Sequence, residues 1–272
     1  MHELEPIRRY SCQCLVQYSF EEDSKMKKNR KFYLISVSFI VLCFCFFLVL
    51  LFRVDAKEEP RWCPLCGMNL KMYHQTSNRL TLPDGATIQT CSIFCAAQFY
   101  EKRPGEIERW EVVDYETRAF IDAKKAQWLI GSNLPGVMTA VGKIAFLSPD
   151  NAKEYQKRHG GTIGAFDDAL NRTLSDMGSD RKMIMARVAE RAKMGKDLAG
   201  KRGCYQCHGG EGKGGSASGW NAPEFFKKMD NRVKIKEAIT KGVPGMQGYE
   251  GKIDEKDLHS ITLYIWSLRP MK

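Results

Sequence analysis

The sequence predicts an α+β domain followed by an all-α domain, behind one N-terminal transmembrane helix. Three observations carry this reading. Phe32–Phe52 is an apolar run of 21 residues without a charge. Residues 60–170 alternate short β-type runs with helical ones around two cysteine pairs. From residue 180 onward, helical periods are separated by glycine-rich loops.

The apolar run is long enough to cross a bilayer as a helix. Lys25, Lys27, Lys28, Arg30 and Lys31 stand just before it, whereas Arg53 and Lys57 are mixed with Asp55, Glu58 and Glu59 after it. The positive-inside bias places residues 1–31 in the cytoplasm as a short tail and everything beyond residue 56 outside. The expectation is a single-pass protein of the inner (cytoplasmic) membrane with its domains in the periplasm. Met26 would make a natural start, so residues 1–25 are an over-extended start or part of that tail. Val54-Asp55-Ala56 could pass as a signal-peptidase site, but the run exceeds an ordinary h-region, and a retained anchor at 32–52 is expected. Cys43 and Cys45 read as apolar packing within it, and Cys12 and Cys14 are unassigned. The 272 residues leave room for two small domains. The net charge of +10 is spread along the chain with no nucleic-acid motif, which argues for a solvated surface and against nucleic-acid binding.

The first external domain is expected over 57–172. Cys63-Pro64-Leu65-Cys66-Gly67-Met68 opens it. Arg79–Leu82 and Ala86–Gln89 flank Pro83-Asp84-Gly85, a hairpin signal. Cys91 and Cys95 lie at i and i+4 on a helix running to Tyr100. Strands are expected at Trp110–Tyr115 and Lys143–Leu147, and a helix at Asp122–Ile130. Ser148 as cap and Pro149 at the first position predict a helix over Asp150–His159, stopped by Gly160-Gly161. A polar segment near Asn171–Asp180 is expected to join this domain to the next. The four cysteines Cys63, Cys66, Cys91 and Cys95 leave three readings open: a soft-metal site, structural zinc, or disulfides in an oxidising compartment. Cys66-Gly67-Met68 adds thiolate with thioether, donors that select Cu(I).

The second domain is expected over 180–272. Met183–Leu198 has a helical period through Ile184, Val188 and Ala192, with Met183, Met185 and Met194 read as core. It runs into Cys204-Tyr205-Gln206-Cys207-His208, a C-x-x-C-H string. Two thiols three positions apart can bond the two vinyl groups of one haem c, and the next residue places an imidazole under the iron. Gly209 to Gly215 form a loop, Val233–Thr240 an amphipathic helix, and Gly242–Met246 a turn. Asp254–Leu268 closes the chain as a helix with Asp254 as N-cap, Leu258, Ile261, Ile265 and Leu268 on one side, and Pro270 beyond the end. No catalytic triad, phosphate loop or paired acid/base carboxylates is recognisable, so the chain reads as an electron-transfer and metal-binding protein rather than an enzyme.

Two resemblances sharpen this. The order of helix, C-x-x-C-H, glycine-rich loop, methionine loop and closing helix resembles a class I cytochrome c domain over residues 180–272. It implies covalent haem on Cys204 and Cys207, with His208 and Met246 as axial ligands. The family often has Met-Pro where this chain has Met246-Gln247. His259 lies inside the final helix and is not expected to compete. Cys63-Pro64-x-Cys66-Gly67-Met68, Val113-Asp114-Tyr115, Phe120-Ile121-Asp122-Ala123, Met138, Ala145-Phe146 and His159-Gly160-Gly161 resemble the NosL family over 60–170. That family hands copper to nitrous oxide reductase, which implies a Cu(I) site at Cys66, Met68 and Met138, and as partners nitrous oxide reductase or its assembly machinery and other redox proteins. His159 sits at a helix end and reads as a capping residue, and His74 as a surface histidine. The Cys91/Cys95 pair resembles heavy-metal-binding variants related to the family, and family members are commonly lipoproteins rather than helix-anchored. Two alternatives stand beside the copper reading: an electron carrier with a disulfide- or zinc-stabilised docking domain, and a haem-linked thiol oxidoreductase using Cys63 and Cys66.

Overall fold

The structure, a computed structural model, describes residues 59–270. The expected transmembrane helix and cytoplasmic tail lie outside these residues, and among the described residues no helix is long and apolar enough to cross a membrane.

Pro83-Asp84-Gly85 forms the expected turn: Asp84 Oδ1 accepts from Ala86 N, and Gly85 takes φ +78°. It joins strands β1 (Asn78–Thr81) and β2 (Thr87–Thr90), paired antiparallel with Leu80 opposite Ile88. β3 (Arg109–Val113) and β4 (Phe120–Asp122) complete a four-stranded sheet of order β2-β1-β3-β4. β5 (Gln127–Ile130), β6 (Lys143–Phe146) and β7 (Thr162–Gly164) make a second antiparallel sheet of order β6-β5-β7. Buried Asp114 ties the sheets together. Its carboxylate accepts from Leu147 N at 2.7 Å and from Thr117 N and Oγ1 at 2.8 and 2.6 Å.

Helix α1 (Ile93–Lys102) is capped by Ser92, and α2 (Pro149–His159) by Ser148. The helix expected at Asp122–Ile130 is not formed. Asp122 turns the chain by accepting Lys124 N at 2.9 Å, and Trp128, Leu129 and Ile130 extend between two partner strands. Tertiary pairing of these β-favouring residues overrides the helical spacing of the alanines before them.

The polar joining segment expected at Asn171–Asp180 is also corrected. It lies inside α3 (Phe166–Lys201), one helix of 36 residues that serves both halves of the described chain. Its first part buries Phe166, Ala169, Leu170 and Met177 against the strands, and its last part buries Ala192 and Ala199 in the second core. The period persists through the polar residues, so nothing interrupts the helix. Met185 and Met194 are exposed rather than core, because they fall on its solvent side.

Beyond α3 lie α4 (Tyr205–His208), α5 (Pro223–Lys228), α6 (Arg232–Lys241) and α7 (Glu255–Ser267). Asp254 caps α7 by accepting Asp257 N at 2.8 Å. Leu258, Ile261 and Ile265 are buried as expected. α7 crosses α3 at Gly195, where a Cβ would lie 1.9 Å from the Ser260 carbonyl oxygen, so only glycine permits this approach.

Candidate metal and haem sites

Cys63-Pro64-Leu65-Cys66 folds into a tight knuckle. Gly67 N donates to Cys63 O and Cys63 N donates to Met68 O, both at 2.8 Å. Gly67 takes φ +76°, which reverses the chain behind Cys66. The second pair comes from the start of α1. Cys91 precedes the Ser92 cap and Cys95 sits in the first turn, so both thiols share one side of the helix. All four cysteines are buried, none exposed beyond 4%, and their sulfurs lie within 4.8 Å of one another. Cys66 Sγ is 3.4 Å from Cys91 Sγ, and Cys91 Sγ is 3.7 Å from Cys95 Sγ.

These spacings bear on the open readings. A disulfide needs about 2.05 Å between sulfurs. A tetrahedral thiolate site with metal–sulfur bonds of about 2.3 Å has an edge of about 3.8 Å. The four cysteines therefore form one cluster with the dimensions of a soft-metal site, and all are free thiols. The electrostatics agree. Hydrogen bonds from Cys66, Cys91 and Cys95 hold the Cys63 thiol well below its ordinary value. Hydrogen bonding to Cys63, together with burial, pushes Cys91 and Cys95 well above theirs. Removing the protons of Cys91 and Cys95 calls for a cation.

Met68 and Met138 both pack, partly buried, against the core that holds the cysteines. Met138 takes φ +59°, a left-handed conformation unusual outside glycine. Its loop is held to α3, because Ala140 N donates to Asp180 Oδ1 at 2.8 Å and buried Lys143 pairs with Asp176 at 3.3 Å. His74 is drawn away to the Arg118 carbonyl, 2.9 Å from Nε2, and packs edge-on to Phe120. His159 is the last residue of α2, and its Nδ1 lies 2.9 Å from Asn133 Oδ1.

In the second half, Cys204, half-buried, stands immediately before α4, and Cys207, exposed, lies within it. His208 Nδ1 lies 2.9 Å from the Ser218 carbonyl. A carbonyl only accepts, so Nδ1 bears the hydrogen and Nε2 keeps its lone pair for iron. The ring packs at a tilt against buried Trp220, with centroids 4.7 Å apart. Gly209 and Gly212 let the loop close tightly, since Cβ atoms there would meet Gly214 O at 2.0 Å and Trp220 at 2.2 Å. Met246 stands on a turn bridged to Val243, partly buried against the second core. These residues fit a c-type haem: two thiols, an oriented imidazole and a thioether on a separate loop.

One group of residues was not visible from the sequence. Trp62 Nε1 donates to Glu255 Oε1 at 2.8 Å, fully buried Lys236 pairs with the same carboxylate, and Arg232 Nη1 donates to Cys66 O at 3.2 Å. His259, on α7, is pushed down to about 3 by burial, then by the charges of Lys236, Arg191 and Arg232.

The fold and the two sites define a thiolate metal-binding domain joined to a c-type cytochrome domain. Comparison with known families agrees: residues 54–174 match the NosL family, and residues 190–265 match the family of cytochrome C oxidase, cbb3-type, subunit III. Residues 54–174 thus carry a NosL-type domain, followed by a cytochrome c domain over residues 190–265. Among relatives, the HTH-type transcriptional repressor CutR of Bacillus subtilis (strain 168) is 27% identical over 126 residues, 46% of this chain and 64% of the repressor. The crystal structure of the copper chaperone NosL from Shewanella denitrificans is 20% identical, with a TM-score of 0.36, over 42% of this chain and 93% of that one.

Proposed function

We propose that this protein is a membrane-anchored, periplasm-facing electron carrier whose NosL-type domain takes Cu(I) as cargo. It serves the assembly or reduction of nitrous oxide reductase. The observation that carries the reading is the pairing of a four-sulfur cluster with an oriented haem-binding histidine on one chain. Soft sulfur donors select Cu(I) over harder ions. Covalently bound haem, when present, supplies one-electron transfer, and a Met–His ligand pair raises its potential. Cys204 and Cys207 would hold the porphyrin, His208 and Met246 the iron. In this reading the uncharged Phe32–Phe52 run and the lysines before it supply the anchor and its orientation. Burial of all four thiols disfavours a thiol oxidoreductase, which needs an accessible nucleophile.

Zinc is a second reading, favoured by the four sulfurs gathered at tetrahedral spacing. Anaerobic titration of the full chain with Cu(I) and with zinc, each against a competing chelator, separates the two. Cu(I) cargo predicts tight Cu(I) binding that falls at least tenfold in both Cys66→Ser and Met68→Ala. Zinc binding lost in Cys91→Ser but indifferent to Met68→Ala and Met138→Ala would assign the cluster to zinc.

A further inference from the structure

Two cations from the other half of the chain, Arg232 and Lys236, lie beside the knuckle that carries Cys63 and Cys66. A metal held by four thiolates leaves net negative charge in a dry core, and such charge is costly unless it is compensated nearby. The cations set against the knuckle belong to α6. Arg232 reaches the Cys66 carbonyl at 3.2 Å, and its Cβ would be 3.3 Å from a Cβ at Gly67. Its other close partner is the Trp266 ring, 5.8 Å away, and no carboxylate among the described residues lies within salt-bridge reach. A partly buried guanidinium with no carboxylate asks for another counter-charge. One turn further along α6, Lys236 is fully buried beneath the Trp62 ring, 5.5 Å from its centroid, and pairs with Glu255. Trp62 and Gly67, the residues on either side of the knuckle, are therefore both pinned to the cytochrome half.

We propose that the cytochrome half completes the metal site: Arg232 is the positioning counter-charge of the four-thiolate cluster, and metal loading tightens the seam between the cluster and α6. The inference rests on the four-thiolate reading given above. Affinity and seam stability are then linked, since whatever strengthens metal binding through the seam must strengthen the seam through metal binding.

The test uses the full-length, haem-loaded chain and zinc ion alone, with affinity read by competition against a fluorescent zinc chelator. Arg232→Gln is expected to weaken zinc binding about 10- to 100-fold. Arg232→Lys, which keeps the charge, should recover most of the loss. Lys234→Gln, on the exposed side of α6 where Lys234 pairs with Asp230 at 2.8 Å, should bind as wild type. Equal affinity in wild type and Arg232→Gln overturns the inference and leaves the four-thiolate reading intact. Failure of the wild type to bind zinc, with Cys91→Ser unchanged from it, overturns that reading instead. A measurement needing no variant stands beside these. Zinc loading of the wild type should slow hydrogen exchange of amides in Arg232–Lys241 and leave those in Pro149–His159 unchanged. Unchanged exchange in α6 on loading contradicts the proposal even if Arg232→Gln fails to fold.

Discussion

His259 shows how much a single side chain here depends on its neighbours. Its Nδ1 is buried without a hydrogen-bond partner, and the charges of Lys236, Arg191 and Arg232 act on the ring. Its pKa falls to about 3, against an ordinary value near 6.5. Between these values the unfolded chain binds the proton and the folded chain does not, so stability rises with pH through this window and levels off above it. His259→Gln should flatten the acid limb of a chemical-denaturation profile by up to about 1.4 kcal/mol per pH unit between pH 3 and 6.5. An unchanged limb would show that other groups set it. Gly67 is a second case. With φ +76° and Arg232 against it, Gly67→Ala strains the knuckle and pushes on the seam together. The expected loss is about 1–3 kcal/mol, read in the thermal midpoint of the metal-free protein.

At the scale of elements, α3 joins the two cores, and its contacts show where strain would be felt. Gly195→Ala would force α3 and α7 apart, because the added carbon meets the Ser260 carbonyl at 1.9 Å. A destabilisation of about 1–3 kcal/mol or more is expected in denaturant, with the region around α7 losing its hydrogen-exchange protection first. Asp176→Asn should destabilise the loop carrying Met138 by about 3 kcal/mol, since it leaves buried Lys143 without its carboxylate. The elements differ in how clearly their own residues announce them. The hairpin, both capped helices and α7 were legible because each is specified by local signals: a turn residue, a cap, a period. The strand at Gln127–Ile130 was not, because its state is set by partners on both sides and by Trp128 Nε1 donating to the Ala123 carbonyl at 2.9 Å. The continuity of α3 was hidden by the polarity of residues that face solvent between two buried stretches.

For the whole molecule, the haem site was the most legible part, since five consecutive residues carry most of it. The metal site was legible as a set of donors but not as an assembly. Nothing local states that Cys63 and Cys66 meet Cys91 and Cys95; the β1–β2 hairpin between the pairs brings them together. The seam was invisible because Arg232 and Cys66 are 166 positions apart in the chain. The central claim is that one chain carries a covalent haem and, separately, a metal ion held by the four clustered cysteines. Native mass spectrometry of the mature full-length protein tests both at once. The account predicts one porphyrin adduct that survives denaturation. It also predicts one metal ion that is seen only under native conditions and is absent from Cys91→Ser. A denatured mass without porphyrin, or metal retained unchanged in Cys91→Ser, would contradict it.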